Sequence, residues 1–396
     1  MDALRTPVLI SRLVLTALSF QVGFIYAAKV SFLAEVKGNV DQSGVEGIVN
    51  SLKNKCSDCE ISEMHVSDMK VLRITGPESI GKDLGKDKQI FDVEVEHNYL
   101  PAGCTTQNNA PWGLERTSER ELDIDGDYTY SDTDLGQGVD IYILDSGIRS
   151  THREFKPLTG PPTSRVQWGL DLYDYLEAET DVFGHGTSVA SVALGRDLGL
   201  AKQANGIAVR VTNEVGIGTT SSLVEGIGWV VDEHNSKVDP KSIINMSLVG
   251  PRSRIIGKAV EKAIDAGVLV VSSAGNNQDK ACSYSPANAK GGITVGCTLI
   301  NDTFCDFSNF GRCVTILAPG FDIEAAFIRS DNDEILTSGT SFSSPHVAGI
   351  LAKYIGSQPG PVSQSAAIQW LEDNATMDEI SSVPKQTPNA LAFIDC

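Results

Sequence analysis

From residue 139 onward the chain alternates short, near-continuous apolar runs with longer stretches of helical spacing. The apolar runs fall at 139–144, 206–211, 242–246, 268–271, 292–295 and 314–317, and the helical stretches at 187–194, 221–234, 253–266 and 343–355. A continuous apolar run marks a strand buried on both faces, and strands alternating with helices build a parallel sheet covered on each side. The expected fold class is therefore α/β with a mostly parallel sheet. At 396 residues the chain has ample length for that core and for a second, smaller domain. The sequence contains no internal repeat and no low-complexity tract.

The smaller domain is legible at 29–100. Strand-like patterns occupy 29–36, 61–66, 70–75 and 90–95. A helix is expected at 42–55, where Val45, Ile48, Val49 and Leu52 share one face, and a brief one at 77–86, weakened by Gly81 and Gly85. The order β-α-β-β-α-β is the split βαβ, ferredoxin-like arrangement. Residues 101–138, rich in Gly, Asn, Thr and Asp, read as a linker followed by extended surface structure.

At the N-terminus Arg5 and Arg12 precede an apolar run at 13–28, broken by Thr16, Ser19 and Gln21 and ending in the small residues Ala27 and Ala28. That is the pattern of a signal peptide over 1–27; a signal anchor is the alternative, because Asp2 and the Ile25-to-Ala27 cleavage context depart from it. No later segment has the length to span a bilayer. The expected location is secreted, extracellular. A formal net charge of −19 argues against nucleic acid and anionic membrane surfaces as partners. Eight cysteines suit an oxidising compartment. Cys56 and Cys59 lack a second pair at zinc-ligand spacing, and lack the strand-to-helix context of a redox motif.

Four polar residues lie at element ends. Asp145, in Tyr142-Ile143-Leu144-Asp145-Ser146-Gly147, ends a strand. Asn276 follows another. His185, in Phe183-Gly184-His185-Gly186, opens a helix, and Ser341, in Ser338-Gly339-Thr340-Ser341-Phe342-Ser343-Ser344-Pro345, opens a second helix with a proline expected in its first turn. Ligands of parallel sheets bind beyond the carboxyl ends of the strands, so all four can converge there. Taken singly, Asp145 is a strand-end turn residue, His185 a helix-cap histidine, Ser341 an N-cap and Asn276 a turn residue. Taken together, they suit acyl transfer: Ser341 as nucleophile, His185 as base, Asp145 as its orienting carboxylate, and the Asn276 amide with the Ser341 N–H as oxyanion donors. An α/β-hydrolase esterase is the poorer reading, since the serine motif lacks the second glycine of G-x-S-x-G and the order is Asp, His, Ser.

That order and those flanks resemble the subtilisin-like serine proteases, in their proteinase K-like branch. The segment Ala110-Pro111-Trp112-Gly113-Leu114 is similar to the start of the mature enzymes, and the blocks around Ser247 and Asn276 match in order. The resemblance implies a subtilisin-like three-layer fold preceded by a small α+β inhibitory propeptide domain. The implied divisions are 1–27 signal peptide, 28–101 propeptide and 102–396 catalytic domain, with processing near Leu100 to Gly103. It also implies a secreted serine endopeptidase made as a zymogen. The partners are protein or peptide substrates and the chain's own propeptide as intramolecular inhibitor. Nucleic acid and stable membrane association are not expected, and the enzyme is read as a monomer. The alternative is a catalytically impaired binding protein on the same scaffold.

By the same resemblance, substrate lies between two backbone edges, Gly216, Ile217 and Gly218 on one side and Ser247, Leu248, Val249 and Gly250 on the other. Ser273, Ala274 and Gly275 wall the pocket before the scissile bond. Disulfides Cys282–Cys313, Cys297–Cys305 and Cys104–Cys396 are implied. The chemistry requires no cofactor. Structural calcium is allowed for an acidic chain, but the ligands are unknown: Thr315 stands where relatives often carry a calcium-binding aspartate. Val249 replaces a usual glycine, Phe342 a methionine, Ser343 an alanine, Ser188 a histidine and Phe183 an asparagine. None of these removes a group needed for acyl transfer. Sequons occur at Asn245, Asn301 and Asn374; Asn245 is expected to be buried in a strand.

Overall fold

The computed structural model describes residues 30–96, 103–173 and 180–396. The expected signal peptide lies outside them. The chain divides into two compact units, Met1–Tyr99 and Leu100–Cys396.

In the first unit, β1 (Val30–Val36), α1 (Gln42–Lys55), β2 (Glu60–Val66), β3 (Met69–Gly76), α2 (Glu78–Leu84) and β4 (Ile90–Val95) follow one another. The strands form an antiparallel sheet in the order β2-β3-β1-β4, as in ferredoxin-like units. Asp41 caps α1 by accepting the Gly44 N–H at 2.9 Å. Val45, Ile48 and Leu52 fall on one face of α1 and bury against Phe32, Ala34, Leu72 and Ile74. Cys56 and Cys59, left unpaired by the sequence reading, form a disulfide between the end of α1 and the start of β2.

The second unit opens with β5 (Cys104–Asn108), α3 (Trp112–Arg116) and β6 (Asp127–Ser131). This is less of a surface linker than its composition suggests. Leu114, Glu115, Arg116, Thr117 and Tyr128 are fully buried, and the Arg116 guanidinium meets Asp302 at 2.8 Å. The main body follows: β7 (Asp140–Asp145), β8 (Val166–Asp171), α4 (His185–Leu194), β9 (Asn205–Arg210), α5 (Thr220–Ser236), β10 (Ser242–Met246), β11 (Gly250–Pro251), α6 (Arg254–Asp265) and β12 (Leu269–Ser273). It continues with β13 (Tyr284–Ser285), β14 (Ile293–Thr298), β15 (Ile316–Pro319), β16 (Ile323–Ala326), β17 (Glu334–Thr337), α7 (Thr340–Ser357), α8 (Gln364–Asn374), β18 (Thr376–Met377) and β19 (Ala390–Leu391).

Nine strands form one sheet in the order β18-β19-β15-β14-β12-β10-β7-β9-β8. All its pairings are parallel except β18 with β19. Alternate residues of each central strand enter different cores. Ile141, Ile143, Ile243, Leu269 and Val271 pack with α4, α7 and α8. Tyr142, Leu144, Ile244, Met246 and Val270 pack with α5 and α6. Both faces are therefore dry, which is why these strands read as continuous apolar runs. From β7 the chain builds outward to β9 and β8 on one side and to β10, β12, β14 and β15 on the other. The strand order thus reverses at β7 and β10, and a crevice opens beyond their carboxyl ends.

All eight cysteines are paired: Cys104–Cys396, Cys282–Cys313 and Cys297–Cys305 accompany the bridge in the first unit. Among the described residues no helix is long and apolar enough to cross a membrane, and no group of three or more His, Cys, Asp or Glu side chains is arranged to hold a metal. The Thr315 hydroxyl instead accepts the Thr294 N–H at 3.1 Å. Asn245 is fully buried in β10, Asn301 is exposed, and the Asn374 amide donates to the Trp370 carbonyl.

Candidate active site

Asp145 is the last residue of β7, at the switch point, and 1% exposed. Its carboxylate accepts the Ser146 N–H at 2.8 Å and His185 Nδ1 at 2.8 and 2.9 Å. A carboxylate accepts only, so Nδ1 carries the proton and Nε2 is left basic. Burial disfavours the imidazolium of His185. The charge and hydrogen bond of Asp145, with a smaller contribution from Asp181, outweigh it and hold the pKa above the ordinary value.

His185 is the first residue of α4, and its position depends on packing that permits no side chain beside it. A Cβ on Gly186 would collide with the Gly147 carbonyl oxygen, and the Gly186 N–H donates to Ser146 Oγ at 3.0 Å. The N-cap Gly184 has no side chain to satisfy the free N–H groups of the helix start. Asp181, 3% exposed, does so instead. Its Oδ1 accepts the N–H of Phe183 and Gly184 at 3.1 and 2.8 Å, and its Oδ2 accepts Thr187 N–H and Oγ1 at 2.9 and 2.7 Å. The sequence reading missed Asp181. An aspartate three residues ahead of a helix-opening glycine was the available signal.

Ser341 is the second residue of α7 and half-buried. Pro345 is not in the first turn as expected; it is the sixth helical residue. A proline there removes the N–H that would bond the carbonyl four residues back, which belongs to Ser341. Ser247 Oγ supplies the missing donor at 2.7 Å and also contacts Ser344 Oγ at 2.9 Å. In return Ser341 Oγ donates to the Ser247 carbonyl at 3.1 Å. Ser341 and His185 are not hydrogen-bonded to each other among the described residues. The His185 ring packs edge-on against Phe342, with centroids 5.8 Å apart.

Asn276 lies exposed after β12 with its carbonyl end held fast: Oδ1 accepts Thr340 N–H at 2.9 Å and Thr340 Oγ1 at 2.8 Å. Its Nδ2 group is thereby directed toward the start of α7. Gly339, at φ +147°, is required there, since a Cβ would lie 3.0 Å from Asn276 Nδ2. The loop carrying Asn276 is braced by Asn309, fully buried and also missed in the sequence. Asn309 donates to the Ala274 carbonyl at 2.9 Å and accepts the Asn277 and Asp279 N–H groups, each at 3.0 Å.

Beside these residues lies a cleft of about 270 Å³. It is lined by both expected segments, Gly216 to Gly218 and Leu248 to Gly250, together with Leu223, Ile256 and Pro286. Of the third expected wall, Ser273 and Ala274 are buried behind the surface, and Gly275 donates its N–H to Thr340 Oγ1 at 3.0 Å.

A doubly wound parallel sheet with an Asp–His pair, a serine at a helix start and an aimed amide at one crevice has the build of a serine hydrolase. The family model Peptidase S8, the subtilase family, matches residues 136–391, and the chain belongs to that family. It is 38% identical over 324 residues to the subtilisin-like serine protease Pen ch 18 of Penicillium rubens, covering 78% of this chain and 64% of that protein. It is 37% identical over 332 residues to cerevisin of Saccharomyces cerevisiae, covering 78% of this chain and 51% of cerevisin. The chain thus spans about two thirds or less of the length of these relatives. A crystal structure of a cold adapted subtilisin-like serine proteinase matches with a TM-score of 0.66 at 36% identity, covering 72% of this chain and 98% of that one.

Proposed function

We propose that this chain is a secreted serine endopeptidase, made as a zymogen, that cleaves peptide bonds through an acyl-enzyme on Ser341. The observation that carries the reading is the 2.8 Å hydrogen bond from His185 Nδ1 to buried Asp145 at the switch point of the sheet. That bond fixes the tautomer a general base requires. In the reaction the Ser341 hydroxyl turns from the Ser247 carbonyl to His185 Nε2, gives up its proton and attacks the scissile carbonyl. The oxyanion takes hydrogen bonds from Asn276 Nδ2 and the Ser341 N–H. The imidazolium returns the proton to the departing amine, and water reverses the sequence on the acyl ester.

Substrate enters as an added strand between the Gly216 to Gly218 and Leu248 to Gly250 edges. Residues 28–101 are read as the inhibitory propeptide, which the separate core formed from Phe32 to Ile90 supports. Pairing of all eight cysteines supports an extracellular destination. The alternative, a binding protein without turnover, draws on Val249 alone, and this chain keeps every residue the chemistry needs. Casein hydrolysis that vanishes in Ser341→Ala supports the protease; hydrolysis unchanged by that substitution rejects Ser341 as nucleophile. N-terminal sequencing of matured protein tests processing near Leu100 to Gly103.

A further inference from the structure

The oxyanion donors locate the substrate residue whose carbonyl is attacked. Its oxygen must lie between Asn276 Nδ2 and the Ser341 N–H, and its carbon against Ser341 Oγ. That residue therefore sits between Gly275 and Asn276 on one side and the Ser247 to Val249 edge on the other. Ser247 is within hydrogen-bonding distance of Ser341, and Gly275 is the immediate neighbour of Asn276. The side chain before the scissile bond must enter the gap between these two walls.

Val249 reaches across that gap. A Cβ built on Gly275 (φ +100°) would lie 2.9 Å from Val249 Cγ2, so a valine methyl already rests over the Gly275 backbone. The Gly275 backbone is held in place, because Asn309 packs against it and is tied to Ala274, Asn277 and Asp279. Val249 is 42% exposed, so it is accessible from the cleft.

We infer that Val249 closes the pocket before the scissile bond and restricts that substrate position to small side chains such as Gly, Ala and Ser. Discrimination among larger apolar side chains then falls to the 270 Å³ cleft farther along the substrate, lined by Leu223, Leu248, Ile256 and Pro286. The inference rests on the protease reading.

The test uses matured enzyme and a peptide series varied from Gly through Ala and Leu to Phe before the scissile bond. It compares the native protein with Val249→Gly and the milder Val249→Ala, and follows labelling of Ser341 by a small fluorophosphonate in all three. The native enzyme should favour Ala over Phe. Val249→Gly should raise kcat/KM for Phe relative to Ala by on the order of 10- to 200-fold, the range that one or a few methylenes command in a pocket, with Val249→Ala in between. Equal cleavage of Ala and Phe peptides by the native enzyme overturns the inference and leaves the protease reading standing. So does a ratio identical in all three proteins. An unlabelled Ser341 with no cleavage of any peptide overturns both.

Discussion

In the proposed mechanism single side chains can do chemistry only because neighbours hold them in one state. Asp145 orients His185, and Thr340 orients Asn276. Activity requires the neutral imidazole, so it should rise with pH through a His185 pKa above the ordinary value of 6.5. Asp145→Asn removes the charge that raises it and leaves the burial that lowers it. The acid limb of kcat/KM should therefore move to lower pH, while kcat falls by on the order of 10⁴-fold as the wrong tautomer is favoured. A pH–rate profile of native and variant checks both; a limb that stays in place contradicts the role given to Asp145. Asn276→Leu should lower kcat by about 10²–10³-fold with little change in KM, a magnitude whose source is subtilisin itself. The four principal residues were legible because each sits in a short, dense motif at an element end. Asp181 and Asn309 were not. They act mainly on backbone N–H and carbonyl groups: Asn309 leaves no local pattern in a single sequence, and Asp181 leaves only its spacing ahead of Gly184.

At the scale of elements, two helix starts carry the site, and each is built around an irregularity. The start of α4 is capped from outside by Asp181 and packed on Gly147 through Gly186. That of α7 lacks one internal hydrogen bond at Pro345, which Ser247 replaces. Asp181→Ala removes four acceptor contacts, two to the Phe183 and Gly184 N–H groups just ahead of α4 and two to Thr187 in its first turn. We expect a loss of about 2 kcal/mol, the upper end for a helix cap, together with reduced kcat and an unchanged preference among substrates. Urea unfolding in a Ser341→Ala background, which prevents self-digestion, gives the first, and kinetics on the single variant the second. The alternation of strand and helix was readable because both sheet faces are dry. β5, α3 and β6 were not, because their burial comes from long-range partners such as Asp302 rather than from apolar composition.

The second unit as a whole carries buried charge away from the crevice, and this sets a pH response of the fold. Burial pushes Lys202 down to about 7 and Lys353 down to about 8 from 10.5. Lys202 Nζ rests between Gln107 Oε1 at 2.8 Å and the Arg196 carbonyl at 3.1 Å. Between pH 7 and 10.5 the folded chain holds fewer protons on these amines than the unfolded chain, so their contribution to stability grows as pH rises across that window and is lost as pH falls through about 7. Lys202→Met should flatten the rise by up to about 1.4 kcal/mol per pH unit, the value of one proton. Urea midpoints at pH 7 and pH 9 measure it, and parallel slopes in parent and variant refute it. Cys104–Cys396 joins residues 292 apart at the two ends of the unit. Replacing both cysteines by serine should lower stability by about 2–5 kcal/mol.

The proposed mechanism stands or falls with Ser341 as an activated nucleophile. Matured native protein, treated with a fluorophosphonate and mapped by peptide mass spectrometry, should carry one adduct, on Ser341. The adduct should form far more slowly after His185→Ala. A folded, matured protein that reacts elsewhere, or not at all, would contradict that role for Ser341.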